Sequence, residues 1–503
     1  MNVCGAVVVR DLCIGCGVCV GACPFGCIEM VWSSVGLLEP VEIKTCPPGC
    51  DRCLKVCPFL DGEDDESSLA KKLFAGVERI QQSAAVGYHL GAFVGAARRG
   101  YREIGASGGV ASWFLAALIE RNIVDAVIAV GATGDPNSLF SYQVLDCPEA
   151  VRKAAKSKYY PVEIGGAMRE VLAREKRYAV VGLPCTIKGL RLAARADVRL
   201  RRRLVVMSGL VCGKTKSRSY TEYLARKAGA DSKRLAFVDF RGKRAGHPAS
   251  DYELRVRDEG NEQEHRLPWS AGSGRVWNSS MFTPRACLFC DDIFAETADA
   301  VFMDAWLPAY SIDSRGTSIV VVRSLLARDI VLRGLIDSEV ELETLGIDQV
   351  EASQAGVIAE KRDALRKRLW MARQAGEAVP RKRVGPRRPW IVARARLRVQ
   401  EAIRNESLTG WVAMGRDVSR LDAKIDSSWR RLLGLRRVER LFERGRRAAG
   451  KVLRDILRLG HAVGCGRAPA LEAPGPGRTS SRRIETGVPS AGRGSRGEDR
   501  GSS

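Results

Sequence analysis

The chain has 503 residues, 45% hydrophobic and 28% charged, with a formal net charge of +23. That length leaves room for two or three domains. No run of about 18 uncharged apolar residues occurs, which excludes a membrane-spanning helix: the best stretch, Val110 to Gly131, is interrupted by Glu120, Arg121 and Asp125.

The opening Met1-Asn2-Val3-Cys4 lacks a basic start followed by an apolar stretch, so no signal peptide and a cytoplasmic location are expected. Residues 1–60 are rich in Cys, Gly and Pro, with short β-like runs at Val7-Val8-Val9 and Ile28-Glu29-Met30. Ten of the sixteen cysteines lie here. In a small secreted chain they would suggest disulfides; short C-x-x-C spacings without a signal peptide favour metal ligation.

The first run is Cys13-x2-Cys16-x2-Cys19-x3-Cys23-Pro24, and the second is Cys46-x3-Cys50-x2-Cys53-x3-Cys57-Pro58. A tight loop with a thiolate every third residue wraps three corners of an iron–sulfur cube, and the fourth thiolate, followed by proline, leaves for the other cube. On that logic Cys13, Cys16, Cys19 and Cys57 hold one [4Fe–4S] cluster, while Cys46, Cys50, Cys53 and Cys23 hold the other. Gly15, Gly17, Gly21 and Gly49 let the backbone close around the sulfides. Zinc in C-x2-C pairs is the alternative, but eight cysteines in two runs that both end Cys-Pro argue against it. The second run departs from the usual spacing at Pro47-Pro48-Gly49, where three residues replace two. Cys4 and Cys27 are read as spare.

The acidic patch Asp61 to Glu66 reads as a linker. From about Gly87 to Ser324 strand and helix patterns alternate. Strands are expected at 92–97, 124–130, 178–182, 204–210, 235–240 and 319–323. Helices are expected at 109–120, 167–175, 219–228 and 325–336. Such alternation implies an α/β sheet, at least partly parallel.

Beyond Glu360 the character changes. Lys361 to Ser503 contain 36 basic and 14 acidic residues, so residues 1–360 are close to neutral and nearly all the excess charge sits in this tail. Val418, Leu421, Ile425, Trp429 and Leu432 fall at helical spacing, and Pro380, Pro386 and Pro389 divide the region into helices. From Gly464 onward Gly, Pro, Ser and Arg dominate, which is a disordered composition. The expected fold is an α+β ferredoxin-like N-terminal module (1–62), then an α/β domain with a mostly parallel or mixed sheet (85–340, in parts 85–165 and 170–340). A basic helical extension (361–460) and a disordered tail (464–503) follow.

Four further cysteines stand in Gly182-Leu183-Pro184-Cys185, Val211-Cys212-Gly213 and Cys287-Leu288-Phe289-Cys290. The first two follow expected strands, where α/β proteins gather ligands. Four thiolates from three segments could close one more cube or a zinc tetrahedron. Ser107-Gly108-Gly109 precedes a helix and offers free N–H groups suited to a phosphate, or simply caps the helix. Ser157-Lys158-Tyr159 joins a cation to aromatic planes. It suits a pyrophosphate or the N1 side of a reduced flavin, or is a solvated lysine beside core tyrosines. Phe240-Arg241-Gly242-Lys243 could bind an acidic cofactor tail through Arg, or be a surface charge run. The absence of a G-x-G-x-x-G after a strand and of a Walker A motif argues against a nicotinamide site and nucleotide hydrolysis. The four histidines (His89, His247, His265, His461) have no metal-like spacing, which argues against a His-based hydrolase.

Taken in order, Ser107-Gly108-Gly109, Ser157-Lys158-Tyr159, Gly182-Leu183-Pro184-Cys185, Cys212-Gly213, Phe240-Arg241-Gly242-Lys243, Cys287-x2-Cys290, Ala298-Asp299 and Gly316-Thr317-Ser318 resemble the family of coenzyme F420-reducing hydrogenase beta subunits. F420-linked formate dehydrogenase beta subunits and chlorophyll-pathway reductases belong to the same family. With the N-terminal module, the likeness covers about residues 10–325. It implies an oxidoreductase that moves electrons between a hydride carrier (reduced coenzyme F420), FAD and [4Fe–4S] clusters. It also implies that Cys185, Cys212, Cys287 and Cys290 hold a third [4Fe–4S] cluster, that Ser107, Gly108, Gly109, Ser157, Lys158, Tyr159, Arg241 and Lys243 contact the flavin cofactor, and that Lys158 and Cys185 are the catalytic candidates. The hydrogenase type reads Cys-His-Gly where this chain has Cys212-Gly213-Lys214, which leaves the hydride donor open. The electron partner is a redox protein, a hydride carrier or an organic substrate; a non-catalytic relay subunit, or an iron–sulfur protein with a structural or regulatory role, is the alternative. The basic tail reads as a helical appendage packed on the body or a twin subunit, or as a contact to an anionic membrane surface or another polyanion. Charge alone is weak support for nucleic-acid binding.

Overall fold

The structure is a computed structural model that describes residues 1–61 and 64–463, with side chains as far as Phe442. Contacts divide the chain into two units, Met1–Leu441 and Phe442–Ser503. The expected disordered tail from Gly464, with Cys465, lies outside the described residues.

The first unit begins with three short helical turns and an antiparallel hairpin, β1 (Ile28–Trp32) on β2 (Leu38–Glu42). The run Val7-Val8-Val9, expected to be β-like, is not a strand: Val8–Arg10 forms a 3-10 turn that closes through the left-handed Asp11. Three β-branched residues lacking a partner strand follow the local turn instead.

A second small hairpin pairs β3 (Gln81–Ser83) with β4 (Gly87–His89). Next come β5 (Gly91–Ala97), β6 (Ala126–Ala132), β7 (Phe140–Leu145), β8 (Tyr178–Gly182) and β9 (Leu204–Leu210). The strands β10 (Leu235–Gly242), β11 (Glu253–Asp258) and β12 (His265–Pro268) form a separate antiparallel sheet, so the 235–240 strand is not part of the α/β alternation expected for it. Finally β13 (Ala300–Asp304), β14 (Ser318–Val322) and β15 (Val340–Leu345) return to the main sheet.

That main sheet has eight strands in the order β15-β5-β14-β13-β9-β8-β6-β7. The central pairs β6·β8, β8·β9 and β9·β13 are parallel; the outer four are antiparallel. The sheet is therefore mixed. Successive side chains of a strand point to opposite faces, and the core follows that rule. Tyr178 and Val180, with Ile319 and Val321, join one apolar cluster, while Ala179, Val320 and Val322 join the other. Helices Gly165–Ala173 and Pro184–Ala196 cover the first face, and Val110–Glu120 and Leu325–Ile336 cover the second. Burial on both faces explains why these strands read as continuous apolar runs.

Val18 and Val56, from the cysteine-rich segment, share the first cluster with the sheet. Two residues of the acidic patch read as a linker are likewise buried, while Asp61 and Asp65 stay exposed: Asp64 pairs with Lys72 at 2.7 Å and with Arg195, and Glu66 pairs with Lys188. A charge buried this way needs its partner.

The basic extension packs against the body. Leu365 and Leu369 of helix Leu365–Gln374 meet Leu12, Phe59 and Leu288, and Leu421, Ile425 and Leu432 of helix Val418–Val463 join a cluster with Tyr220 and Phe282. Some of its cations are used internally: Arg368 pairs with Glu360 at 2.5 Å, Arg396 with Glu439 at 2.5 Å, and Arg404 donates to the Thr283 carbonyl at 2.7 Å. Among the described residues no helix is long and apolar enough to cross a membrane.

Candidate iron–sulfur and cofactor site

The first cysteine quartet lies beside each of the other two. Cys13, Cys16, Cys19 and Cys57 line one pocket together with Val3, Leu12 and Phe59. The loop that carries the first three turns on Gly17, at φ +75°; a Cβ there would sit 2.2 Å from a Glu163 carboxylate oxygen. Only glycine fits such a close approach. Gly15 N–H reaches the Cys13 sulfur at 3.4 Å. Burial pushes the Cys16 thiol up to about 12, against the nearby Val18 N–H, and it raises Cys13, Cys19 and Cys57 as well. Thiols that cost this much to ionise unaided are stabilised when metal replaces the proton.

In the second quartet, Cys53 lies in the field of Cys46, Cys23 and Cys50, although burial is what chiefly raises it. Cys23 differs. Burial opposes its thiolate, but N–H groups of Cys27, Phe25, Gly26 and Ile28 outweigh that and lower its pKa; the Cys27 N–H lies 3.3 Å from its sulfur. These donors are the kind that surround a cluster thiolate. The two cysteines read as spare make weak local contacts: Cys4 Sγ meets the Pro40 carbonyl at 3.2 Å, and Cys27 Sγ the Thr45 carbonyl at 3.7 Å.

The four scattered cysteines also converge. Cys185 opens helix Pro184–Ala196, Cys212 follows β9, and Cys287 lies in the turn Arg285–Leu288. Burial raises the Cys185 thiol, with Cys16, Cys212, Cys290 and Cys287 adding to the effect. Cys16 belongs to the first quartet, so the inner and outer sets are neighbours. Tyr142, half-buried beside Cys185, Thr186 and Cys16, stands at that junction; it lies in β7 with no local sequence signal. The Thr215 N–H reaches Cys287 Sγ at 3.4 Å, and Lys361 Nζ reaches Cys290 Sγ at 3.1 Å. All cysteines among the described residues are free thiols, and no three His, Cys, Asp or Glu side chains among those residues stand close enough to hold a single ion. The donor set, thiolates with backbone N–H groups aimed at sulfur, fits [4Fe–4S] chemistry.

A second cluster is cationic. Lys158 Nζ donates to the carbonyls of Ala154 and, at 2.6 Å, Ala155. Burial lowers its pKa to about 7, partly offset by Asp239. Ser157, half-buried, precedes it. Lys156 takes the left-handed backbone at φ +83° and pairs with Asp239 at 2.9 Å. Strain of that kind concentrates at functional sites. Arg241 lies over the rings of Tyr252 (4.7 Å) and Trp306 (5.3 Å) and pairs with Asp304 at 2.6 Å. Its Nε and Asp304 Oδ1 are buried without a partner. Tyr159 lies beside Arg241 and against Phe240 and Trp277. Lys243 donates to the Ser107 carbonyl at 3.0 Å, which joins two of the sequence motifs, and burial lowers its pKa to about 8. The set can hold a planar polyanion: rings for stacking, four cations for phosphate or carboxylate.

Packing accounts for other motifs. Gly109 caps helix Val110–Glu120 at φ +76°, and a Cβ on Gly108 would stand 2.5 Å from the Gly95 carbonyl. A Cβ on Gly316 would lie 2.8 Å from the Ser107 Cα, and Ser107 Oγ donates to the Thr317 carbonyl at 2.8 Å. Asp299 accepts from Arg191 and the Met207 N–H, both at 2.8 Å. Lys158 and Cys185, the two catalytic candidates, belong to different clusters, one cationic and one of thiols.

Residues 92–169 match the family model for the N-terminal part of the coenzyme F420 hydrogenase/dehydrogenase beta subunit, and 175–347 match that for its C terminus. Residues 6–29 match a 4Fe-4S binding domain. The chain belongs to the family of coenzyme F420 hydrogenase/dehydrogenase beta subunits.

It is similar to one of the subunits of the F(420)H(2) dehydrogenase of Methanosarcina mazei, 26% identical over 215 residues, which are 41% of this chain and 54% of that protein. It is also similar to the coenzyme F420-dependent sulfite reductase of Methanocaldococcus jannaschii, 27% identical over 187 residues, 37% of this chain and 26% of that protein. The chain thus spans about half the length of the first relative and a quarter of the second. A chain of the F420-reducing [NiFe] hydrogenase complex from Methanosarcina barkeri aligns with a TM-score of 0.44 and 17% identity, covering 61% of this chain and 99% of that one. Family membership and the 4Fe-4S domain support an iron–sulfur oxidoreductase role.

Proposed function

We propose that this chain passes electrons between reduced coenzyme F420 and a partner protein or organic substrate, through an FAD and three [4Fe–4S] clusters. The observation that carries this reading is that Cys13 and Cys57 of one quartet pack against the same apolar cluster as Cys185 and Cys290 of another. Adjacent clusters permit single-electron transfer without any large motion. A bound flavin would accept one hydride, two electrons with a proton, and release those two electrons singly, and the clusters would carry them one at a time.

The residues of this chain have separable tasks. Cys13, Cys16, Cys19 and Cys57, then Cys23, Cys46, Cys50 and Cys53, hold the outer clusters; Cys185, Cys212, Cys287 and Cys290 hold the inner one. The helix start at Ser107–Gly109 and the cations Lys158, Arg241 and Lys243, with Ser157 and Tyr159 between them, hold the cofactor's anionic groups and stack its rings. Lys158, poised near neutrality, can hold or release a proton beside that group. The domain boundaries follow the same division, with the cysteine module up to about residue 62 and the cofactor domain over 85–340.

Anaerobic purification followed by iron, acid-labile sulfide and flavin counts tests the proposal. About twelve irons and one FAD per chain support it; about eight irons remove the inner cluster, and a colourless zinc protein removes the redox role altogether. Oxidation of reduced F420 with an artificial acceptor and no partner separates an enzyme from a relay subunit.

A further inference from the structure

The inner quartet has an unusual neighbour. Lys361 belongs to the π-helical turn Ala359–Ala364, beyond the last residue matched to the family models, 347. It is 3% exposed. Its Nζ donates to Cys290 Sγ at 3.1 Å and to the Asp292 carbonyl at 2.9 Å. Single π turns insert one extra residue in a helix and recur at functional sites; here the turn delivers the side chain inward to sulfur.

The other buried cations of the extension, Arg368, Arg396 and Arg404, have carboxylate partners, and so do the half-buried Lys382 and Arg383. Arg383 binds Asp291 at 3.3 Å and Glu296 at 2.7 Å, Lys382 faces Asp291 at 3.7 Å, and Arg368 binds Glu360. Among the described residues Lys361 has no such carboxylate contact; its ammonium is turned to a thiol and a carbonyl. The nearby Asp292 carboxylate is buried and its two oxygens are unpartnered. A cation buried against a cluster ligand stabilises the more negative, reduced state, because hydrogen bonds to sulfur and local charge set cluster potentials.

We infer that Lys361 is a fixed counter-ion for the inner cluster, supplied by the C-terminal extension, and that it raises that cluster's reduction potential. The inference rests on the reading of Cys185, Cys212, Cys287 and Cys290 as cluster ligands. It assigns the extension a part in electron transfer: Lys361 is a positioning residue that acts through Cys290, with no contact to substrate.

Redox titration of the purified full chain, followed by EPR, tests it. The inner-cluster signal is the one that Cys287→Ala removes. In Lys361→Gln that signal should titrate at a lower potential than in the unaltered chain, and in Lys361→Arg close to it. Loss of the inner cluster from Lys361→Gln but not from Lys361→Arg also supports the counter-ion role. An unchanged potential in Lys361→Gln overturns it, as does an equal shift or equal loss in both variants. If the unaltered chain holds about eight irons and Cys287→Ala removes no signal, the inner-cluster reading fails and takes this inference with it; three clusters with indifference to Lys361 sink the inference alone.

Discussion

Lys188 and Glu66 form an ion pair of 3.1 Å in which both side chains are almost fully buried. The pair ties helix Pro184–Ala196, which also carries Cys185, to the start of helix Glu66–Phe74 just after the cysteine-rich segment. Removing Lys188 takes from the buried Glu66 the cation that contributes most, leaving Lys382 and Arg383. Lys188→Met should cost about 3–5 kcal/mol, read as a lower urea midpoint; Lys188→Met with Glu66→Leu should recover much of it. Equal loss in both variants would show that the charges do not act as a pair.

The same pair predicts acid sensitivity. Burial opposes the Glu66 carboxylate, but Lys188, Lys382 and Arg383 outweigh it and hold its pKa below the usual value. A depressed carboxyl contributes stability that is full above the unfolded pKa, about 4.3, and lost as pH falls through the lower folded value. Thermal melts of the unaltered chain should lose stability below about pH 4 more steeply than melts of Lys188→Met with Glu66→Leu.

Gly109 should tolerate no side chain. Its φ is +76°, and a Cβ would lie 2.2 Å from the Tyr101 carbonyl oxygen. Gly109→Ala is expected to destabilise by more than about 1 kcal/mol, while Gly76→Ala, where a Cβ meets nothing within 4 Å, should change the midpoint little.

Cysteine replacements should divide by quartet. Cys57→Ala removes the thiol that faces Cys13, Cys16 and Cys19 across the pocket and should cost about four irons per chain. Cys27→Ala should cost none. Iron counts of about eight and about twelve in the two proteins meet the expectation; equal counts refute the ligand division.

Lys158 should govern retention of the cofactor. Burial lowers its pKa to about 7, so it is charged below that pH and neutral above. An anionic cofactor bound there should be held more weakly as pH rises through about 7. Lys158→Met, measured at pH 6, should bind FAD about 10–100-fold more weakly, the worth of one charge-assisted hydrogen bond. A pH-independent affinity, unchanged in Lys158→Met, would place the cofactor elsewhere.

Much of this protein is decided locally. Thiolates three residues apart, glycines at the turns and prolines after the last cysteine fold around their own neighbours, so the 4Fe-4S domain over residues 6–29 was legible as spacing alone. Apolar runs on β8, β9 and β14, buried on both faces, announced the sheet for the same reason. The acidic stretch up to Glu66 misled because solvation and pairing look identical in sequence; only the fold brings Lys188 and Arg195 to it.

The rest depended on contacts between distant segments. Ser107 meets Lys243, Arg241 lies between Tyr252 and Trp306, and Cys16 adjoins Cys185. No periodicity encodes such meetings, since each needs strands in the order the whole core selects. The basic extension shows this best. Composition marks it as an excess of charge, but packing turns Arg396 and Lys361 inward, one to a carboxylate and one to a sulfur, because a buried cation is stable only where the rest of the chain supplies its partner.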